Sequence, residues 1–240
     1  MTLNSKSEAF SAKKLARIGG IIYLIIIVSG LFGEIFVRNK IIVEGDPAAT
    51  ALNIMASPML WRFGIAGDLL MQVCDVPLIV IFYILLRPVN KNLALLNLSF
   101  NLIQTAVLVV NKLNLLMPMF LLEDAEYLKT VDLAELQTLS YLFIKLHNYG
   151  FGVGLIFFGF VCIVEGHLIV KSTFFPRAIG RLMQLAGICY LVNSFILVLY
   201  PALSSMIILL PCFVAELALA LWMVVKGVDE IRWKQQVAAI

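Results

Sequence analysis

Residues 77–86 read PLIVIFYILL, and residues 21–27 read IIYLIII. Neither run alternates apolar with polar residues, so neither fits a strand of a membrane barrel, whose segments of about ten residues repeat with period two. Each lies inside an apolar block of about 20 residues, the length a helix needs to cross a bilayer. In lipid every backbone N–H and C=O must be bonded within the segment, and a continuous helix achieves this. The chain holds six such blocks, at about 18–37, 60–86, 93–117, 140–169, 182–200 and 203–225. The expected fold is all-α: one polytopic bundle of six transmembrane helices spanning residues 1–240, with the lipid bilayer as its surroundings. Composition agrees. Apolar residues make up 62% of the chain and charged residues 14%, against roughly 45–50% and about 25% in soluble domains.

Between the first two blocks, Asp46-Pro47 reads as an N-cap followed by proline at the first helical position. A short interfacial helix is expected over about 47–56, and Ser57-Pro58 opens the second span in the same way. An acidic loop is expected at 123–135. Lys and Arg are twice as frequent on the N-terminal side as on the other, which holds Arg38, Lys40, Arg62, Lys112, Lys129 and Lys145. The positive-inside rule then places both termini in the cytoplasm and the acidic loop outside. The polar start of the chain, followed by a long apolar block without a small-residue cleavage site, predicts that the first span stays as an anchor. A multi-pass protein of a bacterial cytoplasmic membrane is the expected setting.

Several chemistries have no support in the sequence. The net charge is +3, and the basic residues form no face or stripe, so nucleic acid is not an expected partner. Cys74, Cys162, Cys189 and Cys212 all fall inside spans without CxxC or Cys/His spacing, and they read as small apolar fillers rather than metal ligands. His147 and His167 share one helix at a separation of about 30 Å, so they cannot grip one haem iron. No metal and no cofactor are expected. No linear catalytic fingerprint is present, and acid–base catalysis, which needs no such motif, stays open.

What remains is a set of polar residues inside the membrane. Each ionisable one costs about 2.5–3.5 kcal/mol on insertion scales and is a functional candidate by default. Asp75 and Glu216 fall near mid-membrane, with Asn101, Gln104 and Asn193 at similar depth. Asp68, Gln72 and Asp75 are spaced i, i+4, i+7 and so share one face of the second span. Asn97, Asn101, Gln104 and Asn111 form a similar stripe on the third span. The two stripes should face each other, because neither suits lipid. No Lys or Arg lies at the depth of Asp75 and Glu216, so these carboxyl groups should carry a proton, hold a cation or bind a cationic ligand. The candidate ligand or proton/cation site is therefore Asp68, Gln72, Asp75, Asn101, Gln104, Asn193 and Glu216. A second cluster nearer the outer surface comprises Glu34, Lys112, Lys145 and His147, with Arg38 beside them. Arg38, Lys112 and Lys145 read as snorkelling side chains, and Glu34 as a partner for Lys145 or His147.

Several stretches together carry a family likeness: RIGG at 17–20, VEGDPAATA at 43–51, GDLLMQVCD at 67–75, LLRPV at 85–89, LHNYG at 146–150, FFG at 157–159, PRAIG at 176–180 and ELALALWMVVKG at 216–227. In these the chain resembles a bacterial family of six-span membrane proteins known as a domain of unknown function (DUF4386). The resemblance covers nearly the whole chain and implies a multi-pass membrane protein, with no catalytic or binding residues to carry over. Three functions stand open: a small-molecule or ion carrier using the intramembrane carboxylates, a non-catalytic partner or sensor protein, and a membrane-embedded enzyme acting near the outer interface. Oligomeric state is not legible.

Overall fold

The computed structural model describes residues 11–239. The polar start of the chain, residues 1–10, lies outside the described residues. Six helices are long and apolar enough to span a membrane: Ala12–Ile41, Pro58–Leu86, Lys91–Leu121, Leu133–Lys171, Arg177–Leu199 and Ile207–Val225. Among the described residues there is no strand.

Local chemistry sets where these helices begin. The Ser11 hydroxyl, the Asn90 amide oxygen and the Asp132 carboxylate each accept a backbone N–H in the first turn that follows, satisfying donors that a helix start leaves free. Asp46 does the same for the short helix Pro47–Ala56. That helix packs against the fourth span and buries Thr50, Ala51 and Ile54. The cap at Asp132 starts the fourth span earlier than its apolar block. The sixth starts later, because Pro201–Leu203 closes a separate tight turn first.

Two spans depart from regular α-geometry. The first widens into a π-helical turn over Phe32–Arg38. The third breaks at Lys112, between the helices Lys91–Asn111 and Leu113–Leu121. Both irregularities carry charged residues, and π-turns of this kind recur at functional sites.

Each span packs on the next in chain order, and the sixth returns to the first, so the six form a closed ring. The tightest seam joins spans four and five. A Cβ on Gly180 would stand 2.6 Å from the Gly166 carbonyl oxygen, and one on Gly187 would stand 2.5 Å from that of Gly159. Only glycine lets two helix backbones approach so closely. Ser11 donates to Glu230 Oε2 at 2.8 Å, so the first and last described helices meet on one face, here the terminal face. Phe174, Phe175 and Trp233 bury themselves there, and the Trp233 indole donates to the Leu85 carbonyl at 3.0 Å. The opposite face carries the acidic loop and is called the loop face.

Candidate functional site

The ring encloses a cavity of about 290 Å³. Three carboxyl groups line it: Asp75 from span two, Glu165 from span four and Glu216 from span six. The carboxamides of Gln72, Asn101 and Gln104 join them, and the rest of the wall is apolar and aromatic. Among the described residues no Lys, Arg or His lines it. Asp75 accepts a hydrogen bond from the Thr105 hydroxyl, which ties span two to span three. Glu216 accepts from Tyr23 at 3.0 Å and from Tyr190, which joins span six to spans one and five. Glu165 is buried and makes no hydrogen bond among the described residues. The three groups lie within electrostatic reach of one another. Gln72 Oε1 and Asn101 Oδ1 are buried without a hydrogen-bond partner among the described residues. Such atoms are uncommon in native proteins and ask for an explanation.

The structure thus brings together Gln72, Asp75, Asn101, Gln104 and Glu216 from the sequence-based set. It separates the other two members. Asn193 turns instead toward the link between spans five and six, where it accepts from Ser204 at 3.4 Å. Asp68 lies one turn beyond Gln72 toward the loop face, in a different cluster. Its Oδ2 is 2.7 Å from Arg38 Nη1 and 3.0 Å from Lys112 Nζ. Arg38 Nε in turn meets Glu34 at 2.8 Å. The π-turn delivers Glu34 and Arg38 on one side of span one, and the break in span three presents Lys112. Gly33 permits the approach, since a Cβ there would lie 2.6 Å from Asp68 Oδ1.

This corrects three expectations about the second cluster. Arg38 and Lys112 do not reach for the headgroups: both are buried, at 8% and 2% exposure, because Asp68 offers a fixed counter-charge inside. Glu34 pairs with Arg38 rather than with Lys145 or His147. His147 is buried against Asn111, whose Nδ2 lies 2.9 Å from the His147 carbonyl and 3.0 Å from its ring. Lys145 stays exposed, over the ring of Tyr141.

Sequence reasoning did not single out Glu165, Tyr23 or Tyr190. A signal was present for Glu165, an acidic residue in an apolar span, near that span's Lys171 end.

Comparison with known proteins fits this architecture to a family. The family model described as "Domain of unknown function (DUF4386)" matches residues 18–227. The chain belongs to the DUF4386 family. The DUF4386 match takes in most of the first span and all of the other five, with both polar clusters, and stops short of the C-terminal helix Glu230–Ala238. An uncharacterized protein of Archaeoglobus fulgidus is 27% identical over 165 residues, covering 69% of this chain and 84% of that protein. No solved structure matches the chain.

Proposed function

We propose that this DUF4386 protein is a membrane carrier for a small solute or cation, with Asp75, Glu165 and Glu216 as the site that holds the cargo or a coupled proton. The observation that carries the reading is the convergence of three carboxyl groups, unaccompanied by any Lys or Arg, on one cavity inside a closed ring of spans. A mere seam between helices would need only amides or hydroxyls, and ionisable groups in spans typically mark substrate or proton routes. Different groups lie toward the two faces of the bundle. Phe174, Phe175 and Trp233 pack across the terminal face, and the Arg38–Asp68–Lys112 network crosses the loop side. A polar site between the two faces, within a ring of spans, suits alternating access. The enzyme reading loses ground, because Glu34, Lys112 and His147 are already engaged with partners in the protein.

The test uses the full chain in proteoliposomes, with currents read on a supported membrane and lumen pH read by a dye. Pulses of organic cations, amino acids, sugars and sodium are applied one class at a time. At least one class should give a saturable signal, and Glu165→Gln or Glu216→Gln should lower it at least tenfold while the protein melts as before. Silence across the panel from well-folded wild-type protein would remove the carrier reading and leave the partner or sensor reading in front.

The terminal face is proposed to be cytoplasmic, on the Lys and Arg bias of the sequence. Asp132 and Asn90 are exposed on opposite faces. In a background lacking the four native cysteines, cysteine placed at Asp132 should react with an impermeant thiol reagent applied to whole cells. Cysteine at Asn90 should react only after lysis. The reverse pattern would invert the protein in the membrane.

A further inference from the structure

The walls of the cavity say more about its occupant than its charge alone. An inorganic divalent ion wants several oxygens converging at about 2.0–2.6 Å. Among the described residues no group of three or more His, Cys, Asp or Glu is placed to hold a metal. The space is also large for a bare ion. At about 290 Å³ it falls at the small end of ligand pockets, which run from about 300 to 1,000 Å³. The polar groups occupy only part of the surface, and much of the rest is aromatic: Tyr23, Phe82, Phe151, Phe158, Tyr190 and Phe213. Aromatic faces attract cations, and ammonium groups are the usual guests of such cages.

The polar groups differ in how engaged they are. Asp75 and Glu216 already accept hydroxyl hydrogen bonds from the protein. Glu165, at 3% exposure, accepts none among the described residues. Gln72 and Asn101, at 3% and 5% exposure, each leave the amide oxygen unpartnered. Burying such groups without partners is unfavourable, and all three side chains line the same cavity. The uncommitted capacity is thus one carboxyl group and two amides, set among aromatic rings.

We infer that the cavity binds a small organic ammonium ion with an apolar body, its charged end against Glu165 and its body against the aromatic wall. Gln72 and Asn101, on spans two and three, orient the charged end through their free amide oxygens. This deepens the carrier reading and shares its site, but it can be tested separately. Equilibrium binding needs no turnover, so lost binding removes the ligand class alone. Intact binding without any transport signal removes the carrier alone.

The probes are benzylammonium, its neutral relative benzyl alcohol, benzoate and sodium, titrated at constant pH and ionic strength into the full-length protein in nanodiscs. Benzylammonium should bind saturably, and benzyl alcohol and benzoate at least tenfold more weakly. Glu165→Gln should weaken benzylammonium at least tenfold and leave benzyl alcohol unchanged, with the melting temperature confirming a folded variant. Gln72→Leu should weaken the ammonium probe to a lesser degree. Equal binding of benzyl alcohol would overturn the inference in favour of a plain apolar pocket. So would displacement of the probe by sodium at equal concentration, indifference to both Glu165→Gln and Glu216→Gln, or no saturable binding by the folded wild type.

Discussion

Asp68→Ala should destabilise the protein by about 3–5 kcal/mol, the range for removing one partner from a buried ion pair. The Asp68 side chain is fully enclosed, and its Oδ2 is shared by Arg38 and Lys112. Without it two cations stand together in a low-dielectric interior, and the half-exposed Glu34 contacts only one of them. Repulsion adds to desolvation, so the penalty belongs near the top of the range. Lys112→Met should cost less, because Arg38 would still hold Asp68 and Glu34. Unfolding titrations in mixed micelles, read by tryptophan fluorescence, would measure both variants. A loss under about 1 kcal/mol for Asp68→Ala would mean that the two cations escape to the headgroups, as snorkelling allows, and that the network is incidental.

Gly180→Val should also be severely damaging, through packing alone. The first carbon of the new side chain would meet the Gly166 carbonyl oxygen at 2.6 Å and the Val170 amide nitrogen at 2.8 Å. Both are backbone atoms and cannot rotate away, so spans four and five must separate along the seam. Overpacking typically costs about 1–3 kcal/mol, and valine brings two further methyl groups into the same gap, so poor insertion or a loss above about 3 kcal/mol is expected. Gly152→Ala is the milder comparison. Its Cβ would meet only the end of the Leu197 side chain, which can change rotamer, and a loss under about 1 kcal/mol should follow. Equal behaviour of the two variants in melting experiments would show that the seam tolerates separation.

The helices were legible because membrane spans obey one strong rule, continuous apolar length, which six blocks of this chain satisfy. The site was legible in part. Counting residues from the span ends put Asp75 and Glu216 at one depth, and both line the cavity. The same counting hid Glu165. It sits six residues before Lys171, where a span of ordinary length would already meet headgroups. The C-terminal helix and the Phe174–Phe175 pair lie over that end and carry the dry interior past it. Their effect on depth comes from tertiary packing and leaves no mark in span four. Asp68 misled for another reason. Its i, i+7 spacing from Asp75 places both on one helical face, but seven residues also separate them by about 10 Å along the axis. One stripe therefore serves two sites. The partners of Asp68 were hidden in backbone irregularities, the π-turn at Phe32–Arg38 and the break at Lys112, which a period of 3.6 residues does not describe.

The ring order has a consequence for how the protein is made. Because each span packs on its neighbour in the chain, a nascent protein can pair its helices in the order they leave the ribosome, and such local contacts favour quick assembly. A single junction escapes this sequence. Span one waits for span six, across some two hundred residues of intervening chain, and the contacts it awaits are Arg17 to the Val225 carbonyl, at 3.2 Å, and Tyr23 to Glu216. Glu216 is thus the last of the three cavity carboxyl groups to arrive, and the cavity has no complete wall until synthesis is nearly finished. A chain truncated after span five would leave Tyr23 and Tyr190 without their shared acceptor and Glu165 open to lipid along one side. Quality control in the membrane could distinguish such a fragment from the finished protein by that open flank.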